Sequence, residues 1–234
     1  MKALILAAGL GARLRPITDD RPKSLVEING KPILVKQIEN LYENHVLDII
    51  VVAGYKSTVL ETEIHSLFPQ VKIVVNDKYE ETNNMYSAFL TKSLINSEPF
   101  LMMNADVFFD SSVIKSLLEF KHPDAIVVEK GRFLGESMKV EQKDGKIIRI
   151  SKQIEKAKAL GVSIDVYKFS SKGGDAFFAK CEDYIEKNKD VNKWSEFALN
   201  DILDVVSFKA CPLCGRWCEI DNYNDLKEAE EIFA

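Results

Sequence analysis

The opening segment MKALILAAGLGARLRP (residues 1–16) decides the fold. Its apolar run is typical of a buried strand, and the run breaks at once into Gly9 and Gly11. Arg13 and Arg15 follow directly. Glycines let a ligand approach the backbone closely, and arginines attract anions. The segment therefore predicts a strand followed by a loop that binds a large negative group, such as a phosphate chain.

Strand-like and helix-like segments alternate over the first half of the chain. The strand-like segments are short, rich in Val, Ile and Leu, and cover residues 2–8, 48–54, 71–76, 100–106 and 125–130. The segments between them have apolar residues at helical spacing and cover residues 33–46, 57–68, 83–95 and 111–122. This alternation predicts an α/β fold with a Rossmann-like, mixed and mainly parallel sheet and helices on both faces. Binding sites in such sheets lie at the carboxyl ends of the strands.

The pattern changes after about residue 131. The segment 138–154 predicts a hairpin that turns at Asp144 and Gly145, and the segment 162–170 predicts a further strand. Helical segments follow at 173–190, 194–207 and 224–234, with a strand near 216–221. Since no repeat, low-complexity tract or linker divides the chain, we expect a single domain over residues 1–234, with a cleft between its two parts.

The composition argues against several classes of protein. The chain has 234 residues, is 46% hydrophobic and carries a formal net charge of −5. A nucleic-acid-binding protein would usually carry a basic field, so we expect no nucleic-acid partner. No apolar stretch reaches the roughly 18 residues of a membrane-spanning helix, so we expect no membrane insertion and a cytoplasmic location. The sequence leaves both a monomer and a homodimer open.

Three of the four cysteines cluster in the segment CPLCGRWC (residues 211–218). These are Cys211, Cys214 and Cys218, and the fourth is Cys181. The first two have the spacing of half a zinc site, but the sequence contains no second pair of this kind. The pattern favours small, partly apolar residues in and beside a strand over a metal or redox site.

Residues beyond the first loop strengthen the anion site. The segment LAAGLGARLRPITDDRPKSLVEINGKPIL (residues 6–34) adds Lys23 behind Arg13, but it has the glycine spacing of neither a Walker A loop nor a dinucleotide fingerprint. It resembles the signature of nucleotidyltransferases, which join a nucleoside triphosphate to a phosphorylated small molecule and release pyrophosphate. The resemblance covers nearly the whole chain and continues in VVAGY (51–55), NDKYEETNNMYS (76–87), NADVFF (104–109) and RWCEIDNYNDL (216–226). Within this family the chain resembles the small bacterial cytidylyltransferases of the CTP:phosphocholine type, on the basis of its short length and the segments TNNMYS and EID.

The resemblance implies a GT-A-like nucleotidyltransferase fold in which residues 1–130 bind the nucleotide and residues 131–234 face the acceptor. The residues that it assigns to the nucleotide, expected to be CTP, are Ala7, Ala8, Gly9, Gly11, Arg13, Lys23, Gly54, Asn83, Asn84 and Ser87. We expect the two glycines of the first loop, Arg13 and Lys23 at the triphosphate. Ala8, Gly54 and the two asparagines are expected near the base and ribose. For the asparagines, a turn or helix cap is the alternative.

Two aspartates are the expected metal ligands. Asp106 and Asp221 each come directly after an apolar segment, at the carboxyl end of a predicted strand. Magnesium prefers hard oxygen ligands and shares its remaining positions with water and phosphates. The resemblance places metal-binding aspartates at these positions, so we expect Mg²⁺ as the cofactor. Together with Arg13 and Lys23 they form the expected catalytic set, although each aspartate alone could be a turn or cap residue.

The sequence defines the acceptor site less sharply. The expected acceptor-binding residues are Lys139, Lys152, Trp194, Glu196 and Trp217. Lysines on a hairpin rim are often merely solvated. Aromatic residues, including Tyr86 and Phe108, pack in cores as readily as they enclose a quaternary ammonium. Glu136, Glu196 and Glu219 could bind an ammonium group or the hydroxyls of a sugar or inositol.

Three functions are compatible with these observations. The leading hypothesis is transfer of CMP from CTP to a small phosphorylated acceptor, such as phosphocholine, phosphoglutamine or aminoethylphosphonate, for surface polysaccharide or lipid decoration. The alternative enzyme is a sugar-1-phosphate nucleotidyltransferase that uses UTP, dTTP or GTP. A non-catalytic nucleotide-binding regulatory protein is the third, and it is disfavoured because a sensor has no need of two metal-binding carboxylates.

Overall fold

The described residues, 1–133 and 137–234 of this computed structural model, form strands and helices that alternate as the sequence predicts. In chain order the strands are β1 (Lys2–Ala7), β2 (Glu27–Ile28), β3 (Lys31–Pro32), β4 (Asp48–Ala53), β5 (Lys72–Val75), β6 (Phe100–Asn104), β7 (Val107–Phe109), β8 (Ala125–Lys130), β9 (Lys139–Lys143), β10 (Lys146–Ser151), β11 (Ala159–Phe169), β12 (Lys209–Pro212) and β13 (Trp217–Glu219). The helices are α1 (Ile33–Glu43), α2 (Ser57–Leu67), α3 (Asn84–Phe89), α4 (Lys92–Ile95), α5 (Ser112–Glu119), α6 (Ser171–Glu182), α7 (Ser195–Asn200) and α8 (Tyr223–Ile232). Glu136 lies outside the described residues.

Strand β1 lies inside a mixed sheet that has nine strands in the described part of the chain. It pairs in parallel with β4 and β6, and β5 continues in parallel from β4. Strand β11 is antiparallel to β6 and also pairs with β8 and β9. Strand β10 pairs with β9, and β12 runs parallel to β8. Because β1, β4 and β6 are parallel, their carboxyl ends reach one edge of the sheet, where ligands bind in such folds.

Alternate residues of β1 pack on opposite faces of the sheet. Ala3 and Ile5 belong to a buried cluster with residues of α1, α2 and α5. Leu4 and Leu6 belong to a second cluster with residues of α3, α6 and α7. Burial of each large aliphatic side chain contributes about 1.5–3 kcal/mol. Helices therefore cover both faces, and the α/β fold expected from the sequence is confirmed.

A third, smaller cluster joins the first loop to the C-terminal helix. Leu14 of the loop packs with Phe108 of β7, with Ile220, and with Leu226 of α8. Nearby, β13 pairs antiparallel with β7, so that Glu219 lies opposite Val107. This short ladder brings residues that are more than a hundred positions apart to the carboxyl-end edge of the sheet.

The hairpin predicted over residues 138–154 is confirmed, but two of the predicted helices are wrong in extent. Asp144 and Gly145 both have the left-handed backbone of a tight hairpin turn. The segment 83–95 divides into α3 and α4 at Thr91, whose hydroxyl donates to the carbonyl of Ala88. Helix α7 ends at Asn200, whose side-chain amide bonds to the backbone of Ile150 in β10, and the rest of the predicted segment forms turns.

Strands β7 and β12 are not predicted by the sequence analysis, since each is too short to give a periodic signal. Cys211 lies in β12 and Cys218 in β13, both buried, and Cys214 is exposed between them. Their placement in and beside strands agrees with the sequence analysis. Among the described helices, none is long and apolar enough to span a bilayer.

Replacing Gly54 tests the close packing at the end of β4. An added Cβ at Gly54 would lie 2.7 Å from the carbonyl oxygen of Ala8 and 2.7 Å from the Cβ of Tyr79. Gly54→Ala should therefore lower the free energy of unfolding by about 1–3 kcal/mol, because the backbone of the first loop must shift. Urea denaturation measures this difference.

The matched control is Gly9→Ala in the same region, where an added Cβ meets nothing within 4 Å. Its free energy of unfolding should stay within about 1 kcal/mol of the wild-type value. Equal stability of the Gly54→Ala and Gly9→Ala variants would show that the contact between Gly54 and Ala8 is not tight.

Candidate active site

A pocket of about 330 Å³ opens at the carboxyl-end edge of the sheet, where β1 and β6 end. This volume is in the range of small-molecule sites. Its wall combines the first loop, the segment around α3, the turn after β6, one residue of β11 and the start of α7. The pocket therefore lies between the two parts of the chain, as the sequence analysis expects.

Lys23 forms ion pairs with two carboxylates on the pocket wall. Its Nζ atom lies 3.0 Å from Oδ2 of Asp106 and 2.7 Å from Oδ1 of Asp221. Nη2 of Arg13 contacts the same Asp221 oxygen at 2.8 Å. Burial alone would lower the pKa of Lys23, but the two carboxylates outweigh burial and raise that pKa. Burial would raise the pKa of Asp221, yet Lys23 and Arg13 lower it below the ordinary value.

The backbone explains why these groups meet. Asp106 follows β6 in the turn to β7, and the amide of Ile220 donates to the carbonyl of Asp106 at 2.8 Å. The amide of Asp221 donates to Oδ2 of Asp225, which belongs to the capping box of α8. The start of α8 therefore fixes the position of Asp221 on the pocket wall.

Three carboxylates at this point fit a divalent cation. One oxygen each of Asp106, Glu219 and Asp221 lies within 4.8 Å of the others. Burial, followed by repulsion from Asp106, Asp165 and Asp221, raises the pKa of Glu219 to about 8. Oδ1 of Asp106 is buried and has no hydrogen-bond partner in the described part of the chain. Mg²⁺ prefers hard oxygen ligands such as these carboxylate oxygens, one of which has no other partner. The residues therefore fit the metal expected from the sequence.

The first loop supplies the residues expected at the triphosphate. Gly9, Arg13 and Lys23 line the pocket, whereas Gly11 does not. Gly11 has a φ of +62°, and an added Cβ there would lie 2.7 Å from Cβ of Lys23, so glycine is needed for Lys23 to pack against the loop. Ser24, which the sequence analysis does not single out, also lines the pocket, and its buried Oγ has no partner among the described residues.

The other residues assigned to the nucleotide divide between the pocket wall and its support. Ala7, Ala8, Asn83, Asn84 and Ser87 line the pocket. Gly54 stands behind Ala8 rather than on the wall.

The asparagines also have local roles. Asn83 caps α3 by accepting from the amide of Asn84. Oδ1 of Asn84 accepts from the amide of Ser195 at 2.8 Å, which ties α3 to α7. The helix-cap alternative therefore describes Asn83, while both side chains remain on the pocket wall.

Of the expected acceptor residues, three line the pocket and two do not. Lys152, Trp194 and Glu196 are on the wall, and Nζ of Lys152 lies 5.0 Å from the ring centroid of Trp194. Lys139 is buried beside the pocket, where its ammonium donates to the carbonyl of Lys152. Trp217 is buried in the core, and its indole nitrogen donates to Glu129 at 2.6 Å.

Sequence reasoning misses Asp165, which lines the pocket from β11. The phenol of Tyr167 lies 2.9 Å from Oδ1 of Asp165 and 3.0 Å from Oε1 of Glu196. Burial, followed by repulsion from Glu196 and Asp106, raises the pKa of Asp165 to about 7. Burial also raises the pKa of Glu196. The sequence does carry one signal that could have identified Asp165, which is an acidic residue inside the mostly apolar strand segment VSIDVY (162–167).

Residues 2–131 match the family model described as Nucleotidyl transferase. This match covers more than half of the chain, which therefore belongs to the nucleotidyl transferase family. The resemblance and the enzyme class expected from the sequence are confirmed.

Particular relatives are cytidylyltransferases. The CTP:phosphoglutamine cytidylyltransferase of Campylobacter jejuni subsp. jejuni serotype O:2 is 29% identical over 249 residues, covering 97% of this chain and 98% of the relative. The choline-phosphate cytidylyltransferase of Streptococcus pneumoniae is 34% identical over 192 residues, covering 71% of this chain and 81% of the relative. A solved structure of CTP:phosphocholine cytidylyltransferase from Streptococcus pneumoniae has a TM-score of 0.81 at 26% identity, covering 100% of this chain and 99% of that one.

Asp165→Asn should flatten the dependence of stability on pH. The pKa of Asp165 rises from an ordinary value of 3.8 to about 7 on folding. Its contribution to stability is therefore fully present below the unfolded pKa and is lost as the pH rises through about 7. Between about pH 5 and about pH 8, the wild type should lose more free energy of unfolding than the asparagine variant, as measured by urea denaturation.

Asp144→Asn is the control, because Asp144 is exposed and has the same left-handed backbone. It should follow the wild-type profile. Parallel profiles for the wild type and Asp165→Asn would show that Asp165 ionises as easily in the folded protein as in the unfolded chain.

Proposed function

We propose that this protein is a cytidylyltransferase that transfers CMP from CTP to a small phosphorylated acceptor and releases pyrophosphate. The observation that carries the reaction type is the meeting of Lys23, Asp106 and Asp221 on the wall of the pocket. The choice of CTP is supported by the two cytidylyltransferases to which the chain is similar. We further propose that residues 1–234 act as one domain, in the cytoplasm, and that the product serves surface polysaccharide or lipid decoration.

The basic side chains of the first loop bind the triphosphate in this proposal. Arginine offers a planar fork of donors that suits phosphate oxygens, and lysine offers a compact charge. Arg13 is two-thirds exposed and contacts Asp221 alone of the two aspartates, whereas Lys23 is held in the pocket by both carboxylates. Ala8, Asn83 and Asn84 border the nucleoside.

Asp106, Glu219 and Asp221 are the residues that would hold Mg²⁺. A bound Mg²⁺ would supply positive charge to the triphosphate and to the leaving pyrophosphate. Lys23 lies between two of these carboxylates and so delivers its own positive charge at the same point. Lys23, together with a cation held by the three acids, would thereby offset the repulsion between two anionic substrates.

The reaction needs no general base from the chain. A phosphate monoester has a second pKa of about 6, so its oxygen is largely unprotonated at neutral pH. That oxygen attacks the α-phosphorus of CTP, a new P–O bond forms, and the bond to the β-phosphate breaks with the electron pair leaving on pyrophosphate. The residues of the pocket have to align the two substrates and neutralise charge, which are the main sources of catalysis in phosphoryl transfer.

A matrix of four nucleoside triphosphates and a panel of phosphorylated acceptors tests the proposed function. Pyrophosphate release should be fastest with CTP, with kcat/KM at least tenfold above that for UTP, which corresponds to about 1.4 kcal/mol. Buried polar groups that face the edge of the base discriminate between cytosine and uracil, because the wrong base leaves some of those groups without a hydrogen-bond partner. Higher kcat/KM with UTP, dTTP or GTP and a sugar 1-phosphate would instead favour the sugar-nucleotide function.

Asp106→Asn and Asp221→Asn should each remove most Mg²⁺-dependent turnover while the chain remains folded. Each change removes a negative charge from the metal site, and such charge stabilisation contributes several kcal/mol to the transition state. Pyrophosphate release after chelator treatment and addition of Mg²⁺ measures the effect, and circular dichroism checks the fold. Asp204→Asn, at an exposed aspartate after α7, is the control. Full turnover of either pocket variant would contradict the metal assignment.

A further inference from the structure

Asp165 has an unusual backbone for its place in the sheet. It lies within β11 with a φ of +57°, where the register with β8 shifts between Ser163 and Tyr167. A left-handed conformation is uncommon for residues other than glycine and persists only when the surroundings hold it. Here the side chains of Asn104, Ser163 and Tyr167 contact the Asp165 carboxylate.

The carboxylate has hydrogen-bond partners on several sides. The amide of Asn104 donates to Oδ2 at 3.1 Å, and the hydroxyl of Ser163 lies 3.3 Å from Oδ1. Tyr167 stands between this carboxylate and that of Glu196, but its single phenolic proton serves one of them at a time. Two carboxylates have about eight lone-pair positions between them, far more than these neighbours can fill. Asp165 and Glu196 both line the pocket, where their oxygens have the capacity to accept further hydrogen bonds from a ligand.

Aromatic faces, by contrast, are scarce on the wall. Of the described residues that line the pocket, Tyr79 and Trp194 are aromatic. The ammonium of Lys152 already lies over the ring of Trp194. Trp217 and Phe108, which could have completed an aromatic enclosure, pack in the core, the latter against Phe233. A quaternary ammonium, which is held by aromatic faces and has no hydrogen to donate, finds little that suits it.

We propose that Asp165 is a specificity-determining residue that selects acceptors whose head group carries N–H or O–H donors, in preference to a quaternary ammonium. This inference rests on the proposed function. A primary ammonium or a polyol at the end of the phosphorylated acceptor donates hydrogen bonds to the oxygens of Asp165 and Glu196. A trimethylated ammonium displaces water from those oxygens without replacing its hydrogen bonds, which penalises binding.

Phosphoethanolamine and phosphocholine form the decisive pair of acceptors, because they have the same charge and differ in the three methyl groups that replace N–H donors. With CTP held saturating, we expect kcat/KM for phosphoethanolamine to exceed that for phosphocholine by at least about tenfold. Inositol 1-phosphate tests the O–H source of donors separately from the N–H source. Equal or higher kcat/KM for phosphocholine than for both donor-bearing acceptors would overturn the inference.

Asp165→Gly then tests the residue itself. Glycine adopts the left-handed backbone without strain, so the variant should fold. We expect the preference for the donor-bearing acceptor to fall at least about fivefold, through a higher KM for that acceptor, with the KM for CTP unchanged. Asp165→Asn keeps the shape but replaces one acceptor oxygen by a donor and should lose preference as well. An unchanged ratio in the glycine variant would refute the role of Asp165.

Asp144→Gly is the matched control, since Asp144 is an exposed aspartate with a φ of +50° in the hairpin turn. It should keep the wild-type ratio of the two acceptors. The two proposals fail in different ways. Absence of CMP transfer to every acceptor would defeat the proposed function, whereas transfer that favours phosphocholine would defeat only the inference on Asp165.

Discussion

The ammonium group of Lys23 is bonded to two carboxylates that reach it from positions 106 and 221. Without positive charge at this point, Asp106, Glu219 and Asp221 would be three acidic groups whose oxygens lie within 4.8 Å of one another. Their mutual repulsion favours protonation of one of them, as the raised pKa of Glu219 shows. The positive charge of the lysine makes their close approach less costly. Lys23 thus joins the first loop, the middle of the sheet and the C-terminal segment in one electrostatic contact.

The charge of the pocket changes sign along its length. At the first loop, Arg13 and Lys23 provide positive charge next to the carboxylates of Asp106 and Asp221. At the opposite wall, Asp165 and Glu196 provide acidic oxygens, with Lys152 at the rim. A ligand that is anionic in its middle and carries donors at one end matches this arrangement better than a ligand of uniform charge. In the proposed reaction, this polarity would turn the phosphate of the acceptor toward the nucleotide and its head group toward β11.

Much of the fold was open to prediction from the sequence because its causes are local. The apolar run of β1, the glycines after it and the Asp-Gly turn of the hairpin each carry their own signal. The candidate site was also largely accessible, since Asp106 and Asp221 follow apolar segments that end at the same edge. Trp217 was expected on the acceptor wall and lies in the core, because composition cannot tell a pocket aromatic from a core aromatic whose nitrogen finds a partner such as Glu129.

Asp144 and Asp165 show why the remainder escaped prediction. Both are aspartates with a left-handed backbone, at φ values of +50° and +57°. The first is followed by a glycine and forms a turn whose conformation is decided by its own neighbours, so its sequence predicts it. The second is held by Asn104, which is sixty-one positions away, and by the phenol it shares with Glu196. Ser163 and Tyr167 lie two residues from Asp165, but Asn104 and Glu196 are far away in sequence, so a short window describes VSIDVY only as a strand that contains one acidic residue. A left-handed residue inside a strand costs free energy, and such irregularities persist where the surrounding structure holds them, often at functional sites. For this reason an acidic residue that interrupts an apolar strand is a stronger indication of a binding wall than its composition suggests.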